Sequence, residues 1–306
     1  MSSVVPRSFV SQKINGIVFA FIAAIGFSAK AIMVKLAYVE GVDAITLLAL
    51  RMAFSVPFFL VVAAYSSANK SSVSLTSKDK WVVVALGLTG YYLASYLDFM
   101  GLQFISAGLE RLILFLYPTM VVIITMLLYK RRAGRTELLA LFVSYAGIAL
   151  VFLHDMHVSQ HDALLGSILV FASALAYAIY LVGAGQIIGK IGATRFTAYV
   201  MTVACAACLL QFAVTHTLAD LKLSSRVYGL SVAMAIFSTV LPAFLLAAAM
   251  KRIGSSYTAM VGSIGPVSTI YLAYIFLGEQ LSLIQICGSV LVLIGVLMIS
   301  LKKQTN

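Results

Sequence analysis

Ten apolar runs, each bounded by a short polar turn, leave this chain little choice but a bundle of membrane-spanning helices. The runs are 14–37, 44–65, 81–100, 107–129, 137–153, 164–188, 196–215, 228–250, 256–277 and 283–301. A span needs about 20 mostly apolar residues, and in lipid only a helix or a closed barrel satisfies its own backbone. Of the 306 residues, 62% are hydrophobic and 10% charged, against about 45–50% and about 25% in soluble domains. A soluble globular fold is therefore excluded.

The basic residues give the expected orientation. The net charge is +11, but the cations sit in short clusters between apolar runs, which points to membrane topology rather than nucleic acid. The N-terminus and the segments after spans 2, 4, 6, 8 and 10 carry fifteen Lys and Arg, including Lys70, Lys78, Lys80, Lys130, Arg131, Arg132, Arg135, Lys302 and Lys303; the opposite loops carry only Lys222 and Arg226. Both termini are expected to be cytoplasmic. Arg7 and Lys13 precede an apolar stretch that continues from Ile14 to Ala37, longer than the 7–15 residues or so of a signal peptide, so it is expected to stay as the first span. Trp81, the one tryptophan, falls at a span edge where its ring anchors at the interface.

The chain also repeats itself. Residues 101–153 and 249–301 align without a gap, placing Pro118 on Pro266, Gly147 on Gly295 and Ile105 on Ile253. Each copy is an apolar span broken by proline, a polar turn and a second apolar span. Paired interrupted hydrophobic segments in two halves are the sequence mark of a secondary transporter's substrate site. With five spans per half, the second half enters the membrane upside down. Gly16 and Gly166, each opening its half, agree with this. The expected organisation is residues 1–153, a periplasmic linker 154–163, and residues 164–306. The linker's His154, Asp155, His157, His161 and Asp162 read as solvated rather than metal-binding.

These residues resemble the EamA-type repeat of the drug/metabolite transporter superfamily. Gly26-Phe27-Ser28-Ala29-Lys30 and the Leu-Leu-Ala-Leu-Arg at 47–51 are similar to its opening, Tyr117-Pro118 and Gly265-Pro266 to its mid-helix proline, and Leu277-Gly278-Glu279 to its close. The resemblance covers nearly the whole chain. It implies an all-α membrane protein of ten helices in two inverted five-helix repeats, with helices 5 and 10 at the periphery. Among its members, the exporters of aromatic amino acids and methionine of the YddG type are the most similar. Two features depart from the pattern: Lys130-Arg131 stands where the second half has Gly278-Glu279, and Glu110-Arg111 opens the fourth span.

Ionisable residues inside spans are costly and mark function by default. Lys30, Lys35, Arg51, Asp98, Glu110 and Arg111 are such residues, all in the first half. At 1.5 Å per residue, Lys30 lies roughly 24 Å along its helix. Two arrangements fit. Asp98 and Glu110 pair with Arg51, Arg111 or a lysine, as ion pairs or an outer gate; or the surplus of positive charge, Lys30 first, receives a substrate carboxylate. A proline at midspan frees the carbonyl four residues back, so Pro118 and Pro266, with Ser263 and Gly265, are candidates for lining a cavity. Ser28 is placed beside Lys30. Tyr92, Ser95, Tyr96 and Phe99 follow helical spacing on one face, and Tyr117, Tyr177, Tyr180, Tyr271 and Tyr274 need partners for buried hydroxyls, which favours positions away from lipid.

The sequence thus predicts an inner-membrane exporter of small amphipathic metabolites, most closely aromatic or large apolar amino acids, moved by alternating access. Its partners are a small-molecule substrate and the bilayer, with no cofactor, no metal and no nucleic acid; oligomeric state is open. Exporters of phosphorylated metabolites, nucleotide sugars or cationic compounds are the alternatives, followed by a channel or structural membrane protein. No His-Glu-x-x-His, paired intramembrane aspartates or nucleophile with a base points to an enzyme. Cys205, Cys208 and Cys287 lie inside apolar runs and read as small apolar residues rather than a disulfide or metal set.

Overall fold

The computed structural model describes residues 7–68, 75–130, 134–158, 162–280 and 282–301. The basic pair Arg131 and Arg132, Lys70, His161 and Lys302–Lys303 lie outside them. Eight helices are long and apolar enough to cross a membrane. In chain order they are α1 (Arg7–Val39), α2 (Ala44–Ala68), α3 (Ser77–Gly101), α4 (Ala107–Leu128), α5 (Arg135–Val158), α6 (Ala163–Ile191), α7 (Ala193–Thr215) and α8 (Ser225–Gly254). Two shorter apolar helices follow, α9 (Ile264–Leu277) and α10 (Leu283–Leu301), with a helical segment 255–262 leading into α9.

The helix ends are set by ordinary capping. The Asp43 carboxylate accepts from the Ile45 and Thr46 N–H groups at 2.8 and 3.0 Å and starts α2. Thr76 and Asp79 form a capping box at α3, and the second Asp79 oxygen accepts from Lys190 of α6 at 2.7 Å. Gly254, with φ +78°, separates α8 from the segment that follows, a backbone shape that only glycine adopts without strain.

Both proline breaks are visible, at matching places. In α4 the regular helix lapses at Phe115 and Leu116, just before Pro118; before α9 it lapses at Ser263, just before Pro266. A second matched pair holds no proline within it, although Pro242 follows its second member by two residues. Leu88–Leu93 of α3 and Ile236–Val240 of α8 are π-helical, and the offset of 148 residues that superposes the prolines also superposes Leu88 on Ile236. Wider turns of this kind re-aim side chains and recur at functional sites. No hydrophobic pattern announces them.

Small residues let the helices approach, as expected where lipid leaves little apolar drive for association. A methyl at Gly147 of α5 would come 2.7 Å from the Gly288 carbonyl of α10, and one at Gly295 2.6 Å from that of Ala140. Since Gly147 meets Gly288 while Gly295 meets Ala140, α5 and α10 run antiparallel. A reciprocal contact occurs elsewhere: Gly16 of α1 lies against Ile253 at the end of α8, and Gly166 of α6 against Ile105 just past α3.

Another carboxylate joins the halves at the start of α4. Glu279, in the turn after α9, accepts from the Ala107 N–H at 2.9 Å and the Gly108 N–H at 3.4 Å, capping α4. Glu279→Ala leaves those donors bare and removes the charge from a helix N-terminus, so it is expected to cost about 1–2 kcal/mol. The check is thermal unfolding of the purified protein, with a lower Tm than wild type.

Candidate functional site

Lys30 of α1, Asp98 of α3 and Glu110 of α4 converge. The Lys30 Nζ donates to Asp98 Oδ2 and, at 3.1 Å, to Glu110 Oε1. The Lys30 side chain is 13% exposed, those of Asp98 and Glu110 4% and 0%. One ammonium therefore serves two carboxylates in the interior. The remaining oxygens, Asp98 Oδ1 and Glu110 Oε2, are buried without a hydrogen-bond partner among the described residues. Three helices must pack before this triad exists, which is why spacing alone left its pairing open.

Neither arginine joins it directly. Arg51 of α2 donates to the Ser95 hydroxyl at 3.1 Å and lies over the Phe99 ring, 4.8 Å from its centroid. Arg111 turns the other way, toward the proline break of α9. A methyl at Gly265 would sit 2.7 Å from its Nη2. Its buried Nε has no hydrogen-bond partner among the described residues, and no carboxylate there lies within ion-pair distance of it. The Gly265 carbonyl is itself occupied: the Ser28 hydroxyl lies 2.9 Å from it, shared with Ala24 O at 2.8 Å, and Thr269 donates at 3.2 Å. Ser28, Arg111, Gly265 and Pro266 thus form one contact group across α1, α4 and α9.

Beside it stands a nest of rings. Tyr177 of α6 lies 5.3 Å from Tyr117 of α4, 6.3 Å from Tyr91 of α3 and 5.5 Å from Tyr180. Tyr180 continues to Tyr91 at 5.1 Å and to Phe196 of α7 at 5.9 Å. These offset and edge-on arrangements suit aromatic quadrupoles. Tyr91 enters the nest from the π-helical turn of α3, where Gly90 admits the Tyr180 ring against the backbone. Helical spacing had selected Tyr92 and Tyr96; they pack in an apolar cluster with Met52, Phe99, Cys205 and Cys208 that Tyr91 also touches. Gly90, a glycine inside an apolar run, was the available signal.

Tyr271 and Tyr274 share an exposed face of α9 with Val267 and Ile275. This corrects the expectation that their hydroxyls would keep them off the exterior. A phenol near a helix end satisfies its hydroxyl at the interface while its ring stays in lipid. Cys205 and Cys208 are buried and Cys287 exposed, all as free thiols. Among the described residues no cluster of His, Cys, Asp or Glu is suited to hold a metal.

The second half lacks this chemistry. At the offset of 150 residues that pairs Gly16 with Gly166, Lys30 falls on Tyr180; at 148, Asp98 falls on Leu246 and Glu110 on Thr258. The backbone devices are paired while the ionic groups are not.

Comparison with known proteins agrees with this architecture. The model of the EamA-like transporter family matches twice, over residues 14–153 and 164–301. The chain is 31% identical over 290 residues to the uncharacterized transporter YcbK of Bacillus subtilis (strain 168), covering 92% of this chain and 91% of that one. It is 24% identical over 250 residues to the uncharacterized transporter YyaM of the same organism, covering 81% of each. A solved crystal structure shares the fold, with a TM-score of 0.66 at 16% identity over 94% of this chain and 98% of that one. With two matched repeats spanning nearly its whole length and a set of apolar helices able to cross the bilayer several times, this multi-pass membrane protein belongs to the EamA-like transporter family.

Proposed function

We propose that the protein is a secondary transporter of the bacterial inner membrane that exports small amphipathic metabolites, chiefly aromatic or large apolar amino acids. Transport proceeds by alternating access between two inverted five-helix repeats. Ten spans result when 255–277 is taken as one proline-broken crossing and α10 as another. The inversion is supported by the antiparallel run of the equivalent helices α5 and α10 and by the reciprocal contacts of Gly16 and Gly166. Fifteen basic residues on one side against two on the other support cytoplasmic termini.

The observation that carries the substrate class is Arg111, a guanidinium with no carboxylate partner among the described residues, held between two proline breaks and beside a nest of tyrosine rings. A planar guanidinium matches a carboxylate in bidentate fashion, and aromatic rings receive an apolar side chain. A zwitterionic amino acid with a large apolar side chain has both parts. Lys30, whose ammonium is already shared by two carboxylates, takes a positioning role here.

Counterflow in proteoliposomes tests this. Arg111→Gln is expected to raise the KM for phenylalanine on the order of tenfold, about 1.4 kcal/mol, and to leave that for phenylalaninamide nearly unchanged. An equal loss for both removes the carboxylate role. A phosphorylated metabolite is the second reading, favoured because Arg51 also lacks a carboxylate within ion-pair distance among the described residues. Counterflow with a phosphate ester, and none with amino acids, would select it.

A further inference from the structure

The Lys30–Asp98–Glu110 triad has one more carboxylate than it has cations. Both acids are almost wholly withdrawn from water, and each keeps one buried oxygen without a donor. A buried ionised carboxylate with an unmet oxygen is unfavourable, and neutralisation by a proton is the usual resolution. Both carboxyl groups meet the same Lys30 ammonium, so they lie close to each other. Two like charges so close do not both persist.

The surroundings decide which group holds it. Of the two acids, Glu110 is the more completely buried, its side chain 0% exposed against 4% for Asp98, so its ionised form is the less favourable. Glu110 is therefore the group placed to hold the proton. Glu110 faces Lys30 from α1, Asp98 from α3, Arg111 beside it on α4 and, one turn away at the helix start, the Glu279 carboxylate. The Arg111 guanidinium is turned to Gly265. Elsewhere α4 packs on apolar side chains that include Val151 of α5, Val170 of α6 and Val292 and Val296 of α10.

We propose that Glu110 is a proton-binding site and that the protein exchanges protons for substrate. A proton taken up at the Glu110 carboxylate from one side of the membrane is released to the other when access changes, in the direction opposite to substrate. No bond other than that O–H is made or broken. The proposal rests on the transport reading for its cargo, but not for its proton site.

Two measurements on the full-length protein in liposomes test it. With a pH-sensitive dye trapped inside, phenylalanine added outside to wild type should make the lumen more alkaline as protons leave. Glu110→Gln should lose this response to the level of protein-free liposomes, and Glu110→Asp should keep part of it. Active wild-type counterflow without any pH response overturns the proposal, as does a wild-type response in Glu110→Gln. The second measurement needs no substrate. An infrared carboxylic-acid C=O band that titrates in wild type should be missing from Glu110→Gln, whose helical amide bands report that it is folded. Its persistence overturns the proton site, whereas wild type that moves no amino acid while that band is lost overturns only the substrate reading.

Discussion

Replacing Lys30 with methionine is expected to destabilise the folded bundle by about 3–5 kcal/mol, the range for removing one partner from a buried ion pair. The change is nearly isosteric, so the loss comes from charge rather than packing. Asp98 and Glu110 would remain in the interior with no ammonium between them, at 4% and 0% exposure. Thermal unfolding of the purified protein reads the effect directly. The triple variant Lys30→Met, Asp98→Asn, Glu110→Gln is expected to recover most of the lost stability, because neutral side chains of the same shape leave no charge uncompensated. That recovery separates electrostatics from a cavity. If the triple variant is as unstable as Lys30→Met alone, the triad is not held together by its charges.

Gly265→Ala is expected to act in the opposite way, leaving Tm close to wild type and weakening substrate recognition on the order of tenfold, about 1.4 kcal/mol. The added methyl would lie 2.7 Å from Arg111 Nη2 and 3.4 Å from its Nε. What it meets is the far end of a flexible side chain, so the guanidinium moves and the helix need not. The position already precedes Pro266, and its carbonyl keeps the bonds from Ser28 and Thr269. KM for carboxylate-bearing substrates should rise while kcat changes less, since the group displaced is a binding group. A Tm drop comparable to that of Lys30→Met would show instead that Gly265 serves helix packing.

What the sequence could and could not reveal divides along a physical line. Spans and proline breaks are local properties, written in composition and in single residues such as Pro118 and Pro266. The duplication, too, is readable, because Gly147 and Gly295 must both be small where α5 meets α10. The π-helical turn at Leu88 is not, since an apolar run looks the same in either helical register; its partner at Ile236 is marked only by Pro242, two residues beyond its end. Tyr91, which the spacing of Tyr92 and Tyr96 did not select, joins the ring nest from the turn at Leu88. The ionic site was legible as an inventory, six charges in one half, but not as a pairing. Which acid meets which base depends on three helices brought together in space, and Lys30 proved nearer to Asp98 and Glu110 than either arginine. Tyr271 and Tyr274 show the limit of a hydroxyl as a guide: an amphipathic ring serves the interface as well as the interior.

Two repeats that carry an amphipathic amino acid across the membrane by alternating access around this site must behave as a saturable carrier. Counterflow tests it most directly: wild-type proteoliposomes loaded with unlabelled phenylalanine, given labelled phenylalanine outside. Uptake is expected to saturate with external substrate, to be accelerated by the internal pool, and to be absent from protein-free liposomes. Uptake that rises linearly without saturation and ignores the internal pool would contradict it, since such flux belongs to a channel rather than a carrier.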